Sequence, residues 1–112
     1  MTRPRSEGVS RTEAPSQAMA DKICFRSARE LLREYQARRL SPVEATRAVL
    51  RHTADVNPRL NALFLTDVEA ALAAAGRSEQ HWRRGEPKGL LDGIPLTLKD
   101  SIRVAGMPAP IG

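Results

Sequence analysis

Lys99 ends a run, Ile94 to Lys99, in which apolar residues alternate with other types. A lysine serves as a base only where its surroundings lower its pKa, because the unperturbed amine is protonated at neutral pH. Nothing in the neighbouring sequence indicates such burial. From these residues alone, Lys99 is interpreted as a surface charge at the end of a strand.

The other residues that could do chemistry are few and scattered along the chain. Cys24 is the only cysteine, so an internal disulfide cannot form, and we expect a buried structural thiol. His52 and His81 lack the spacing of metal ligands, so we predict no metal and no cofactor. None of the serines stands in a glycine-rich loop, which leaves residues 1–112 without a candidate nucleophile or oxyanion hole.

The longer motif around Lys99 changes its interpretation. It comprises Gly93, Ile94, Pro95, Lys99, Asp100, Gly106 and Pro108. At these positions the chain resembles the catalytic-lysine segment of the amidase signature family of serine hydrolases. Upstream, Leu40 to Glu44, Asn57-Pro58 and Leu60 to Ala62 follow the family's order and approximate spacing. The resemblance covers about residues 25–112.

The resemblance implies hydrolysis of a carboxamide C–N bond by a Ser–cis-Ser–Lys triad, of which this chain supplies only the catalytic Lys99. The second serine would relay the nucleophile's proton to the lysine, whose pKa burial should bring near ~7–8. Asp100 is expected to anchor the strand end without a catalytic step, and Gly106 to permit a tight loop. The implied partner is a small-molecule amide; the sequence does not identify the amide or the oligomeric state.

One alternative within the family stays open, the A subunit of a tRNA-dependent amidotransferase. It would need partner subunits and ATP, and it is the one case in which a nucleic-acid partner is expected. Ser101 stands where Asn is usual, and Asp92 replaces a common His. The Pro-x-Pro-x-Gly form of residues 108–112 resembles a subset of bacterial amidases more than this type of amidotransferase, which favours the amidase. None of these departures touches Lys99.

A second alternative is a non-enzymatic helical interaction module. The net charge of +5 comes mostly from arginine, and an arginine-rich face could attract RNA or an acidic protein. However, Arg26/Glu30 and Glu34/Arg38 have the i,i+4 spacing of exposed helix pairs. Aromatic residues do not interleave with the arginines, so solvated helix faces are the simpler interpretation.

The elements that would position Lys99 begin after a polar tail. Residues 1–21 lack apolar periodicity and are predicted to be disordered, with Met19 as an alternative start; residues 22–112 would form the N-terminal part of an amidase domain. No apolar run is long enough to span a membrane or to serve as a signal peptide. A cytoplasmic location is therefore the default expectation.

Three helices are predicted from periodicity and capping residues. The first spans about Ser27 to Arg39, with one apolar stripe of Ala28, Leu31, Leu32 and Tyr35. The second runs from Pro42 to about Val56, opened by a Ser41/Glu44 capping box and ended by Asn57-Pro58. Its predicted inward residues are Val43, Thr46, Val49, Leu50 and Thr53. The third follows a Thr66/Glu69 capping box and reaches about Arg84, with Gly85 as its cap.

The rest of the chain predicts an α/β fold: N-terminal helices plus the first strand of a mixed β-sheet flanked by helices, incomplete in this chain. Leu60 to Leu65 reads as a buried, extended connection, and Leu90 to Gly93 as a turn into the strand that ends at Lys99. Aromatic residues are only 4%, so the helices should need a further partner surface. We expect a piece of a longer hydrolase, inactive alone and prone to aggregate through strand edges.

Overall fold

A computed structural model describes residues 17–107. Four helices form this part of the chain: α1 Gln17–Cys24, α2 Ala28–Gln36, α3 Pro42–Leu60 and α4 Val68–Arg83. The long helix α3 packs against both α1 and α4. The regular elements among the described residues are all helices, and no β-strand occurs there. The helical part of the prediction is therefore confirmed, and the predicted strand is not seen.

Two capping boxes start the central helices. The backbone N–H of Glu44 donates to Ser41 Oγ at 3.1 Å, and the N–H of Ser41 donates to Glu44 Oε1 at 2.9 Å. This confirms the box predicted for α3. Ser27 and Glu30 form the same arrangement at α2. Each box satisfies backbone donors that a helix start otherwise leaves unpaired.

The predicted end of α3 at Asn57-Pro58 is wrong, because the helix continues to Leu60. Proline lacks a backbone N–H donor and disfavours the helical conformation in the residue before it, yet Pro58 lies in the last turn of α3. Just after this turn, Asn57 Oδ1 accepts hydrogen bonds from the backbone N–H groups of Ala62 and Leu63, each at 2.9 Å. Asn61 ends the helix in the left-handed conformation, with φ 50°.

Helix α4 begins with a different cap from the one predicted. Asp67 accepts the N–H of Ala70 at 3.0 Å, so the Thr66/Glu69 box is wrong. The predicted C-terminus is confirmed within one residue, because α4 ends at Arg83. Gly85 follows with φ +69°, a conformation that glycine adopts without strain.

A small core joins these helices. Its buried members are Ile23, Leu31, Tyr35, Leu40, Ala45 and Ala48, with Leu32, Trp82 and Ile94 packed against them. Thr46 is buried as predicted, but the most deeply buried residues of α3 are alanines. The other residues predicted to face inward are only half-buried: Val43, Val49, Leu50 and Thr53. Small side chains let neighbouring elements approach α3 closely, which a pattern search for large apolar residues overlooks.

Several local expectations are corrected. The connection that begins at Leu60 is not buried: Leu60, Phe64 and Leu65 are largely exposed, because nothing in the described residues packs over them. Cys24 is half-buried instead of buried. Glu34 pairs with Arg39 at 2.7 Å and with Arg26 at 3.4 Å, whereas the predicted partner was Arg38.

The N-terminal tail that was predicted to be disordered, residues 1–21, overlaps the first helix. Helix α1 starts at Gln17, so the predicted boundary near residue 21 falls inside a helix. Residues 1–16 lie outside the described part. Among residues 17–107, none of the helices is long and apolar enough to cross a membrane.

Candidate active-site segment

The segment that carries Lys99 is attached to α4 through Asp92. Its Oδ2 atom lies 2.8 Å from His81 Nδ1 and accepts the backbone N–H of Lys88 at 2.7 Å. The carbonyl oxygen of Asp92 accepts Trp82 Nε1–H at 3.0 Å. Since His81 and Trp82 are adjacent on α4, this helix holds both the side chain and the main chain of Asp92.

The surroundings of Asp92 favour its charged form. Partial burial opposes ionisation, but hydrogen bonds from the Lys88 N–H, Ser78 and His81 outweigh it and hold the pKa of Asp92 below its usual value. The side chain is 6% exposed. Asp92 is therefore a largely enclosed carboxylate at neutral pH.

Gly93 is contacted from the other side by α2 and α3. Tyr35 Oη–H on α2 donates to the Gly93 carbonyl at 2.8 Å. Gly93 has φ +87°, and a Cβ atom there would lie 2.8 Å from Pro42 Cγ and 3.2 Å from Tyr35 Cε2. Burial raises the pKa of the Tyr35 phenol, which keeps it protonated as a donor. Only glycine fits this position without displacing its neighbours.

The predicted turn before the strand is confirmed. The N–H of Asp92 donates to the Gly89 carbonyl at 3.4 Å, and that of Ile94 to the Leu91 carbonyl at 3.0 Å. The turn thereby directs Ile94 onto the helical core, against which it packs. Contacts with the helices therefore hold the chain as far as this residue.

Beyond Ile94 the segment leaves the helices. Leu96 and Leu98 are 67% and 52% exposed, and residues 94–99 form no strand. A strand needs a neighbour to receive its backbone hydrogen bonds, and the described residues offer none. Lys99 is exposed, and its carbonyl accepts the N–H of Ile102 at 2.9 Å.

The motif's end agrees in part with expectation. Gly106 has φ +80°, and the N–H of Met107 donates to the Val104 carbonyl at 3.1 Å, so the tight loop predicted around Gly106 is present. Asp100 is half-buried within a turn. Pro108 and the residues after it lie outside the described part. No cluster of possible metal ligands occurs among residues 17–107.

Sequence reasoning missed the residues that hold the segment in place. Tyr35 was assigned to an apolar stripe, which explains its burial but not its hydrogen bond to Gly93. Asp92 was noted only as a departure from the usual histidine, and His81 only as an isolated histidine. The available signal was the spacing of 11 residues between a helix-end histidine and a turn carboxylate, which becomes meaningful only in three dimensions.

Comparison with known proteins gives consistent matches. The family model Amidase matches residues 44–112. The chain is 40% identical over 87 residues to the A subunit of a Glutamyl-tRNA(Gln) amidotransferase from Acidothermus cellulolyticus, covering 78% of this chain and 17% of that protein. It is 39% identical over 83 residues to the protein of the same name from Myxococcus xanthus, covering 74% and 17%.

An acylamidase is also among the relatives. The Rhodococcus erythropolis acylamidase is 34% identical over 86 residues, covering 77% of this chain and 18% of the acylamidase. The chain thus spans less than a fifth of the length of these curated relatives. No solved structure matches.

Proposed function

Because this chain belongs to the amidase family, we propose that Lys99 is the base of a carboxamide hydrolase. The observation that carries the proposal is the family match over residues 44–112, which includes the whole motif from Gly93 to Pro108. The proposed reaction is acyl transfer to a serine with loss of ammonia or an amine, followed by hydrolysis. Lys99 accepts the serine's proton through the cis-serine of the triad.

The chemistry places a requirement on the surroundings of Lys99. A protonated amine cannot accept a proton, so the working site must disfavour the ammonium form by burying it. Lys99 is exposed here, and residues 1–112 contain no serine in a glycine-rich loop. We therefore propose that residues 22–112 contribute the lysine part of an amidase domain, and that these 112 residues alone do not hydrolyse amides.

The inactivity proposal is tested directly on the 112-residue chain. The purified protein is incubated with a panel of small aliphatic and aromatic carboxamides, and released ammonia or amine is measured. We expect no turnover above the uncatalysed rate. Turnover that co-purifies with the chain and survives Lys99→Ala would contradict both the inactivity and the proposed base.

The role of Lys99 is tested in a chimera. Residues 44–112 replace the corresponding segment of the Rhodococcus erythropolis acylamidase, and amide hydrolysis is compared before and after Lys99→Ala. We expect a loss of roughly a hundredfold to ten-thousandfold, the range typical for removal of a general base. The matched control is Lys88→Ala, an exposed lysine on the same connection, which should leave turnover unchanged.

The chimera has clear contrary outcomes. Normal turnover after Lys99→Ala, with retained helix content, would remove the proposed base. An equal loss in the Lys88→Ala variant would mean that the segment tolerates no lysine substitution, and it would withdraw the special role of Lys99. Lack of activity in the unsubstituted chimera would show that this segment cannot serve as the lysine part of an amidase.

A second candidate is the A subunit of a tRNA-dependent amidotransferase. The observation that favours it is the 40% identity to a relative of that name, against 34% to the acylamidase. A hydrolase releases ammonia into water without ATP, whereas an amidotransferase would pass ammonia to a tRNA-linked carboxylate with partner subunits and ATP. Placing residues 44–112 in the Acidothermus cellulolyticus protein, and measuring ATP-dependent transfer against simple release, separates the two.

Family membership argues against the non-enzymatic helical interaction module. That alternative predicts binding to nucleic acid that weakens steeply with salt. The cytoplasmic location stays a prediction.

A further inference from the structure

We propose that Asp92 and His81 form a positioning pair that sets where the Lys99 segment leaves the helices. The relevance of this pair to catalysis rests on the proposed function of Lys99. The contacts that support the pair lie within residues 78–94 and between Gly93 and the residues Tyr35 and Pro42, and they do not depend on that function.

The first step is the contact between the two side chains. One carboxylate oxygen of Asp92 receives both His81 Nδ1 and the N–H of Lys88. Hydrogen bonds to an ionised acceptor are stronger than neutral ones, and the Asp92 side chain is almost completely enclosed. The pair therefore links the end of α4 to the turn 11 residues later.

The second step concerns orientation. Trp82 Nε1–H donates to the Asp92 carbonyl, so adjacent residues of one helix hold the two ends of Asp92. A residue held at its side chain alone could still rotate about its backbone. Holding the carbonyl as well fixes the peptide plane between Asp92 and Gly93, and with it the direction of the following residues.

The third step concerns the neighbouring residue. Gly93 contacts Tyr35 on α2 and Pro42 on α3, so consecutive residues of the turn touch all three of the helices α2, α3 and α4. Downstream of Ile94, the leucines at 96 and 98 are exposed. The position of Lys99 relative to the helices thus depends on contacts made at residues 92–94.

The proposal is tested by a distance measurement in the 112-residue chain. The background carries Cys24→Ser, with spin labels attached at Asp55→Cys on α3 and at Lys99→Cys. The label-to-label distance distribution is recorded by pulsed electron paramagnetic resonance. In the labelled chain that keeps His81 and Asp92 we expect one narrow distribution. Either His81→Ala or Asp92→Ala should broaden that distribution by on the order of twofold, because the turn opens locally.

A double variant tests whether His81 and Asp92 act through their mutual contact or independently of each other. If the side chains act together, His81→Ala with Asp92→Ala broadens the distribution no more than either change alone. Additive broadening would overturn the pair. The matched control is Glu86→Gln, an exposed carboxylate on the same connection, which should leave the distribution unchanged.

Hydrogen exchange in the unlabelled chain gives a second readout. In Asp92→Ala we expect the Ile94 amide to exchange faster by about tenfold, consistent with loss of a charge-assisted hydrogen bond, while amides within α3 keep their rates. Equal acceleration in α3, or loss of helix content, would mean that the pair supports the whole fold and would overturn a positioning role. An unchanged distance distribution in both His81→Ala and Asp92→Ala would likewise overturn the positioning role.

None of these measurements uses amide hydrolysis. Failure of the positioning pair would leave Lys99 as a candidate base, and failure of Lys99 in the chimera would leave the distance result intact.

Discussion

The helical core and the segment after Ile94 contain similar apolar residues but bury them very differently. Tyr35 and Leu31 are 2% and 6% exposed, whereas Leu96 remains 67% exposed. A helix satisfies its backbone hydrogen bonds within itself, so α2, α3 and α4 need each other only for side-chain packing. An extended segment also needs a neighbouring strand. Among residues 17–107 the helices therefore satisfy their own backbone hydrogen bonds, whereas the extended segment has no neighbouring strand to pair with.

This contrast divides the motif into two parts. Gly93 and Ile94 contact the helices, while Lys99 lies in the exposed part. The part that positions the segment makes its contacts within the described residues, whereas the part that carries the proposed base is exposed there. Stability measurements should therefore respond to the first part and hardly to the second.

Tyr35→Ala should have the largest effect. Removing a buried aromatic side chain costs about 3–5 kcal/mol in the free energy of unfolding, and the Gly93 carbonyl also loses its donor. We expect helix content, followed by circular dichroism during thermal or urea unfolding, to be lost under much milder conditions. Tyr35→Phe is the control and should cost about 1 kcal/mol, the net value of one hydrogen bond. Equal effects of the two changes would contradict the packing role of the ring.

Gly93→Ala should rank second. The added Cβ meets Pro42 Cγ at 2.8 Å in a backbone conformation with φ +87°, so both the contact and the dihedral are unfavourable. We expect a loss of about 1–3 kcal/mol, measured by urea unfolding. The control is Gly76→Ala in the middle of α4, where an added Cβ has no atom within 4 Å; it should stabilise the chain by about 0.5–1 kcal/mol. A neutral Gly93→Ala would show that the turn can move away from α3.

Acid should weaken the attachment of the turn. Because the pKa of Asp92 is lowered in the folded chain, its contribution is fully present above the ordinary carboxyl pKa of about 3.9 and is lost as pH falls through the depressed value. Glu30 and Glu34 also have lowered pKa values, Glu30 through hydrogen bonds with Ser27 and Glu34 through its hydrogen bond with Arg39. The informative quantity is therefore the stability difference between the unsubstituted chain and Asp92→Asn, which should shrink below about pH 4. A difference independent of pH would contradict an ionised Asp92 in the turn.

The double change Leu96→Ser/Leu98→Ser should have the smallest effect on stability, within about 0.5 kcal/mol, as expected for exposed positions. It should reduce aggregation, measured by light scattering at increasing protein concentration, since it removes exposed apolar surface. The matched control is Leu31→Ser in the core, which should strongly destabilise the chain. A large loss of stability in the double variant would mean that these leucines contact the helices in solution.

The sequence predicted several of the features that depend on local interactions, although not the cap of α4 or the end of α3. The Ser41/Glu44 box and the glycine after α4 follow from backbone donors and dihedral preferences within a few residues, and both were found. The strand could not be tested in the same way, since its formation depends on a partner distant in sequence. The end of α3 was placed too early. The Asn57 side chain accepts hydrogen bonds from the Ala62 and Leu63 N–H groups just after the helix, and no general preference for proline includes those contacts.

The candidate site shows the same limit. The motif identified Lys99 by resemblance, although its local sequence is that of an ordinary surface lysine. The contacts of His81 and Tyr35 with the turn join residues 11 and 58 positions apart. Such long-range hydrogen bonds leave no periodic pattern, so only the folded chain reveals them.

The close contact at Gly93 has a consequence for how this motif is inherited. Pro42 and Tyr35 leave no space for a side chain there, so selection for folding alone would preserve the glycine. A descendant without the proposed base would still keep Gly93 for as long as its helices packed in this way. The opening glycine of the motif thus reports how these helices pack, whereas the proposal for catalysis rests on the residue six positions later.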